Sequence, residues 1–305
     1  MNYEKAIANI RTELKKYIQE NNIKSLVLGV SGGIDSCLCA ALAKPVCDEL
    51  NIPLIGRSMP ASSNKPDELQ RAKMTGNAFC TKFSEHSIEE EYNFMRPRIE
   101  SNMIFHAPNP EGSSSRIRNG NLKARLRMLY LYDLASYNQG MVLSTDNYTE
   151  LMLGFWTLHG DVGDYGMIQN LYKTEVYDMA EYLMHTFPYF SSKIDFPGLQ
   201  NIDKSGTEEY WSLKDTIEAL ATDGLGVTDM GDLGQILPEW TGTSREGYKE
   251  VDRVLKIWLE DWKKSIAHWK LIKQEYGEHP VIKRHLRTQF KRDNPVNINR
   301  NLITQ

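Results

Sequence analysis

The stretch that most constrains this chain is Ser25 to Ser36: Ser-Leu-Val-Leu-Gly-Val-Ser-Gly-Gly-Ile-Asp-Ser. Leu26 to Val30 is an apolar run without alternation, the pattern of a strand buried on both faces. It runs into Ser31-Gly32-Gly33, and Cys37 to Leu42 then reads as a helix packed on a sheet. Two glycines at such a junction let the backbone turn sharply and present its N–H groups outward. Those groups, with the positive end of the helix, form an anion site. A carboxylate beside a phosphate cradle repels the phosphates unless a cation lies between them, so Asp35 predicts a magnesium ion. The loop is neither a Walker A motif nor Gly-x-Gly-x-x-Gly. An ordinary glycine-rich turn is the competing reading; strand, loop and helix in the required order favour the phosphate loop.

The remainder of the chain bounds the fold. With 305 residues, it can form one large α/β domain or two small ones. At 41% hydrophobic and 25% charged it has the composition of a soluble globular protein. A net charge of −4 gives no support to a nucleic-acid partner. No apolar run approaches the roughly 20 residues that span a membrane, and Met1 to Glu20 lacks the apolar centre of a signal peptide. Cys37, Cys39, Cys47 and Cys80 make a poor disulfide framework and contain no Cys-x-x-Cys, so they read as reduced core thiols of a cytoplasmic protein.

Apolar spacing predicts a helix from about Tyr3 to Glu20, with Ile10, Leu14 and Ile18 on one face. Pro45 is expected to kink or end the helix after the loop. Ile52 to Met59 reads as a second strand with Arg57 near its ligand-facing end. Asn64 to Glu68 opens a helix, Lys82 to Ile88 is a weak third strand, and Ile88 to Phe105 a further helix. Ala107 to Ser115 is the most loop-like stretch. A long helix over Arg116 to Gln139, with Leu122, Leu126, Leu129 and Asp133 on one face, precedes the short strand Met141 to Ser144. Strands alternating with helices predict a doubly wound parallel sheet flanked by helices, with a helical C-terminal region. The pattern changes after about Met184. Val251, Leu255, Trp258, Leu259 and Trp262 form a helical stripe suited to a core or subunit interface. Lys283, Arg284, Arg287, Lys291 and Arg292 make a basic tail that reads as a solvated face.

A second constellation, Ser144-Thr145-Asp146-Asn147-Tyr148-Thr149-Glu150, sits at a strand end and enters a short helix. Thr145 and Asp146 can cap that helix. Glu150, one turn in, could join Asp35 in a magnesium site completed by phosphate oxygens. Capping alone also explains Thr145 and Asp146, and a surface Glu is common.

These segments occur together with Gly120-Asn121-Leu122-Lys123-Ala124-Arg125-Leu126-Arg127-Met128, Gly154-Phe155, Gly160-Asp161-x-Gly163-Asp164 and Leu171-Tyr172-Lys173-Thr174. The Ser-Gly-Gly-x-Asp-Ser loop resembles that of the ATP-pyrophosphatase superfamily, and the set as a whole, in order and spacing, resembles NAD synthetase. Gly226 to Gly234 and Thr288 to Arg292 are similar to later family segments. The resemblance covers nearly the whole chain except about His185 to Asp215. It implies a single domain over residues 1–305, with a core at 21–184, an insertion at about 185–215 and a helical part at 216–305.

The resemblance also implies roles. Gly29, Val30, Ser31, Gly32, Gly33, Ile34, Asp35 and Ser36 would hold ATP, assisted by Arg57, Thr145, Lys173 and Thr222. Asp35 and Glu150 would bind Mg2+, and Asp35 and Lys173 would be catalytic. Asn121, Arg125, Asp164 and Lys291 would meet deamido-NAD, which family dimers bind at the subunit interface. The family commonly has Lys where this chain has Leu158 and His where it has Phe290, and Val162 replaces a Gly. The implied reaction is adenylation of the nicotinate carboxylate with release of pyrophosphate, then amidation by ammonia to give NAD and AMP. Deamido-NAD, ATP and ammonia would be its small-molecule partners, in a homodimer without nucleic acid or membrane. The alternative is another adenylating enzyme of the superfamily with a different acceptor, GMP-synthetase-like or tRNA-modifying. A non-catalytic nucleotide-binding protein should have lost Asp35, Glu150 or Lys173.

Overall fold

The computed structural model describes residues 1–101, 113–186, 207–219, 231–260 and 265–294. Five parallel strands form one sheet in the order β3-β2-β1-β4-β5. They are β1 (Leu26–Gly29), β2 (Leu54–Ser58), β3 (Lys82–Glu85), β4 (Met141–Ser144) and β5 (Tyr165–Gly166). The chain builds outward from β1 through β2 to β3, then returns to the other side of β1 for β4 and β5. Leu26 pairs with Leu54 on one side and Met141 on the other. The order therefore reverses between β1 and β4, the place where an open parallel sheet leaves a crevice at its carboxyl edge.

Helices cover both faces because successive strand residues point opposite ways. Leu26 and Leu28 join the large core with α1 (Tyr3–Glu20), α2 (Ile34–Leu50) and α7 (Lys173–Thr186), whereas Val27, Ile55 and Val142 pack against α5 (Ser113–Tyr137). α3 (Pro66–Phe79) starts with Pro at its first turn and places Asp67 and Glu68 there, as the local sequence requires. α4 (Glu89–Ser101) and α6 (Tyr148–Leu153) complete this half. The expected doubly wound parallel architecture is thus present.

Several local expectations need correction. Pro45 does not end α2, which continues to Leu50 and closes on Asn51 in the left-handed region. The third strand stops at Glu85 rather than reaching Ile88. The loop-like stretch ends earlier than expected, since α5 already begins at Ser113; residues 102–112 lie outside the described residues. Leu129 is 55% exposed, so the expected face of α5 is only partly covered.

The regular elements of the remaining described residues are all helices. α8 (Glu208–Glu218) buries Leu213 and Ser212 against the first half, with Ser212 Oγ 3.0 Å from Thr75 Oγ1. α9 (Gly231–Ile236), α10 (Ser244–Glu260), α11 (Ile266–Tyr276), α12 (Pro280–Arg287) and α13 (Gln289–Arg292) follow. The stripe on α10 is core: Val251, Leu255 and Trp258 are buried. Trp262 lies outside the described residues.

The basic tail is only partly a solvated face: Lys283 and Arg287 are exposed, but the other three cations are engaged. Arg284 Nε donates to Leu153 O at 3.0 Å, Arg292 Nη1 to Met152 O at 2.6 Å, and Lys291 Nζ to Gly154 O at 2.6 Å and to Trp156 O. The last carbonyls of a helix have no partner within it, and cations there oppose the negative end of the dipole. Three cations from α12 and α13 thus close the C-terminal end of α6 and the turn after it.

Burial pushes all four thiols upward, Cys47 and Cys80 to about 12, so they stay protonated and inert. Each is free of disulfide bonds.

Candidate active site

The loop after β1 opens into a crevice of about 320 Å³ at the β1/β4 switch point. Its form is dictated locally. Gly32 has φ +83°, and a Cβ there would lie 2.1 Å from the Glu68 carbonyl oxygen, so only glycine fits. Ser36 Oγ donates to Gly33 O at 3.0 Å and accepts from Ser31 N at 3.3 Å, which folds the loop onto the helix start. The N-cap of α2 is Gly33, which has no side chain to satisfy the first-turn N–H groups. These donors and the helix dipole face the crevice and fit a phosphate. Gly29, Val30, Ser31, Gly33, Ile34, Arg57 and Thr145 line the same crevice.

Asp35 projects from the first turn of α2 and Glu150 from the first turn of α6. Lys173, the first residue of α7, ties them together: its Nζ donates to Asp35 Oδ2 and, at 3.0 Å, to Glu150 Oε1. The lysine is 5% exposed and the two carboxylates 17% and 14%. Burial alone would depress the lysine, but Asp35 and Glu150 outweigh it and hold Lys173 well above its ordinary value. Glu150 is pushed up to about 7 by burial and then by Asp35, with Lys173 opposing. Two carboxylates converging on one ammonium have the donor set and spacing to converge on a magnesium ion as well. Among the described residues no cluster of three His, Cys, Asp or Glu side chains forms a cage of its own, so a bound ion here would draw its other ligands from phosphate or water.

The expected capping by Thr145 and Asp146 is not what the structure contains. Asn147 is the N-cap of α6, with its Oδ1 accepting from Glu150 N at 3.0 Å. Its Nδ2 donates to Asp35 Oδ1 at 2.9 Å, so one amide aligns both carboxylates. Asp146 is turned inward and accepts from Ser144 Oγ at 3.0 Å. Burial, then Asp161 and Glu150, push it well above its ordinary value.

The residues expected on the second-substrate side lie around the segment that follows α6. Arg125 is exposed and donates to Leu158 O at 3.2 Å. Asn121 Oδ1 accepts from Thr157 Oγ1 at 2.8 Å. Leu158 is half-buried and Phe290 is 57% exposed. The carboxylate of Asp164 is taken up by Val142 N at 2.9 Å and Tyr132 Oη at 3.0 Å, which fastens β5 to β4. Lys291 is held on the carbonyls already named. Thr222 lies outside the described residues. Arg71, Arg127 and Tyr248 also line the crevice. They lie on three different helices; Arg127 falls in the Gly120–Met128 segment, whereas no local pattern announces Arg71 or Tyr248.

A glycine-turned loop at a helix start, two carboxylates and a buried lysine gathered at one switch point mark the class of nucleotide-binding α/β proteins. The NAD synthase family profile matches residues 6–189. The chain is 35% identical over 184 residues to the NH(3)-dependent NAD(+) synthetase of Finegoldia magna, covering 60% of this chain and 70% of that protein. It is 30% identical over 253 residues to the protein of that name from Chlorobaculum tepidum, covering 83% and 72%. Among solved structures, NMN synthetase from Francisella tularensis matches with a TM-score of 0.67 at 23% identity, over 98% of this chain and 99% of that one. The NH3-dependent NAD synthetase of Campylobacter jejuni, solved with nitrate, gives 0.62 at 21% identity, over 98% and 100%. This chain belongs to the NAD synthase family.

Proposed function

We propose that this protein adenylates the nicotinate carboxylate of deamido-NAD with ATP and then amidates it with ammonia, giving NAD, AMP and pyrophosphate. The observation that carries the reading is the convergence of Lys173, Asp35 and Glu150 beside the loop amides in one crevice. The α-phosphorus is attacked by the substrate carboxylate, so no side-chain nucleophile is needed. The loop amides of α2 hold the phosphates. Lys173, once drawn from the carboxylates, neutralises charge that develops on the departing pyrophosphate, while the crevice aligns the attack. Asp35 and Glu150 would hold magnesium, which supplies charge neutralisation at the phosphates. Arg125, Asn121, Leu158, Asp164, Phe290 and Lys291 are assigned to the acceptor side.

We place the enzyme in the cytoplasm, where reduced thiols suit it; among the described residues no helix is long and apolar enough to cross a membrane. A homodimer is supported by an apolar surface on α4 and α5, where Phe94 is 60% and Leu129 55% exposed. The chain is one domain, with a core at 21–184, an insertion at about 185–215 and a helical part at 216–305.

One observation favours a second reading of the acceptor. Leu158 and Phe290 offer no charge to a second nucleotide, which suits nicotinate mononucleotide. Incubation with ATP, ammonium and each acceptor separately decides the matter. NAD, AMP and pyrophosphate are expected with deamido-NAD. Turnover of the mononucleotide alone would move the acceptor, and ADP with orthophosphate would overturn the adenylation.

A further inference from the structure

We propose that Asp252, on α10 in the C-terminal half, is a positioning residue that sets the two helix starts carrying Glu150 and Lys173 against each other. Asp252 Oδ1 accepts from Thr149 Oγ1 at 2.6 Å, and its Oδ2 accepts from Thr174 N at 2.8 Å. Thr149 Oγ1 in turn accepts from Lys173 N at 2.9 Å. The first N–H groups of a helix lack partners inside it. At α7 two of them, on Lys173 and Thr174, are taken by this one relay. Thr149 immediately precedes Glu150, and Lys173 immediately precedes Thr174. A single carboxylate therefore fixes the backbone beneath a cation ligand and beneath the lysine that bridges to it.

The chemistry of the site argues for precision rather than for packing. Asp252 is 2% exposed and Thr149 is fully buried. Burying a carboxylate is expensive, and an apolar side chain of the same volume commonly serves stability as well or better. What an apolar residue cannot do is receive two donors from two different helices at fixed angles. One helical turn earlier on the same face of α10, the Tyr248 ring lies 5.6 Å from Lys173 Nζ. The helix thus sets a ring near the Lys173 ammonium and a carboxylate on the N–H of the next residue, Thr174. Partners that orient metal ligands without touching the metal typically change affinity by roughly 10- to 100-fold when removed.

The proposal rests on the assignment of Asp35, Glu150 and Lys173 to the ATP–metal site, but not on the acceptor. Its test is therefore made before any acceptor is added. Mn2+ binding in the presence of a non-hydrolysable ATP analogue is measured by electron paramagnetic resonance. The proteins compared are wild type, Asp252→Ala, Asp252→Asn, Thr149→Val and Tyr3→Phe. Tyr3→Phe removes a 3.0 Å bond between α1 and Asp178 of α7, away from the cluster, and controls for simple loosening. Asp252→Ala and Thr149→Val are expected to weaken Mn2+–nucleotide binding by roughly 10- to 100-fold. Asp252→Asn, which keeps the shape and one acceptor, recovers most of that loss, and Tyr3→Phe leaves binding unchanged. If Asp252→Ala does not fold, Thr149→Val, which keeps shape and loses only the hydroxyl, decides. Folded Thr149→Val with wild-type affinity overturns the proposal, as does an equal loss in Tyr3→Phe. Wild-type protein that binds no Mn2+–nucleotide overturns it together with the metal assignment above, whereas a wrong acceptor leaves the result untouched.

Discussion

Lys173→Met keeps the length of the side chain and removes the ammonium that two carboxylates share. Removing one partner of a buried ion pair typically costs about 3–5 kcal/mol, because the other charge stays behind without compensation. Here the stranded carboxylates are 17% and 14% exposed, and Glu150 can take up a proton, being already pushed up to about 7. Both relieve part of the penalty, so about 2–3 kcal/mol is expected near neutral pH. At roughly 2–4 °C per kcal/mol for a domain of this class, the melting temperature should fall by about 5–10 °C. Thermal melts of wild type, Lys173→Met, Glu150→Gln and the double variant form a cycle. Glu150→Gln in the Lys173→Met background should restore about half of the loss, since it removes one of two repelling charges. Magnesium should raise the melting temperature of Lys173→Met more than that of wild type, because no ammonium competes for the carboxylates. A Lys173→Met protein that melts within a degree of wild type, or a double variant that loses the sum of the singles, refutes the reasoning.

Gly32→Ala, with its Cβ driven against Glu68 O, should lose about 2–4 kcal/mol and most ATP binding, read by urea unfolding and calorimetry. Asn147→Ala removes a cap and a bond to Asp35 and should cost about 1–2 kcal/mol in the same unfolding assay. Glu150 carries a folded-state pKa raised from 4.5 to about 7, so its contribution to stability is complete below pH 4.5 and lost as pH rises through 7. The urea midpoint of ligand-free protein should accordingly show a fall between pH 5 and 8 that Glu150→Gln flattens; an unchanged slope would refute it. Magnesium affinity should show the opposite trend, weakening below pH 7 as Glu150 takes up its proton.

What the sequence revealed was what is local. The strand, the two glycines and the start of α2 are specified by neighbouring residues, so Ser25 to Ser36 could be read without a structure. Glu150 and Lys173 were found because each lies in a short motif. Asn147 sits in the Ser144–Glu150 segment, but its bridging of Asp35 and Glu150 is not legible there, since its contact with Asp35 is 112 positions away. Asp252 was hidden inside the apolar stripe of α10, where a lone acid reads as a solvent-facing position. Arg284, Lys291 and Arg292 in the basic tail misled for the same reason: cations on a short amphipathic helix look solvated until the carbonyls they cover are known.

That clasp of α12 and α13 on α6 bears on how the protein comes into being. Arg284 reaches Leu153 across 131 positions of sequence, and Arg292 reaches Met152 across 140. Contacts so far apart close late, because the chain between them must be ordered first. During synthesis Ser25 to Ser36 is made first, Glu150 follows, and the cations that cover the end of α6 come later still. The C-terminal end of α6, one turn beyond Glu150, is thus completed only once the last helices of the described chain have been made.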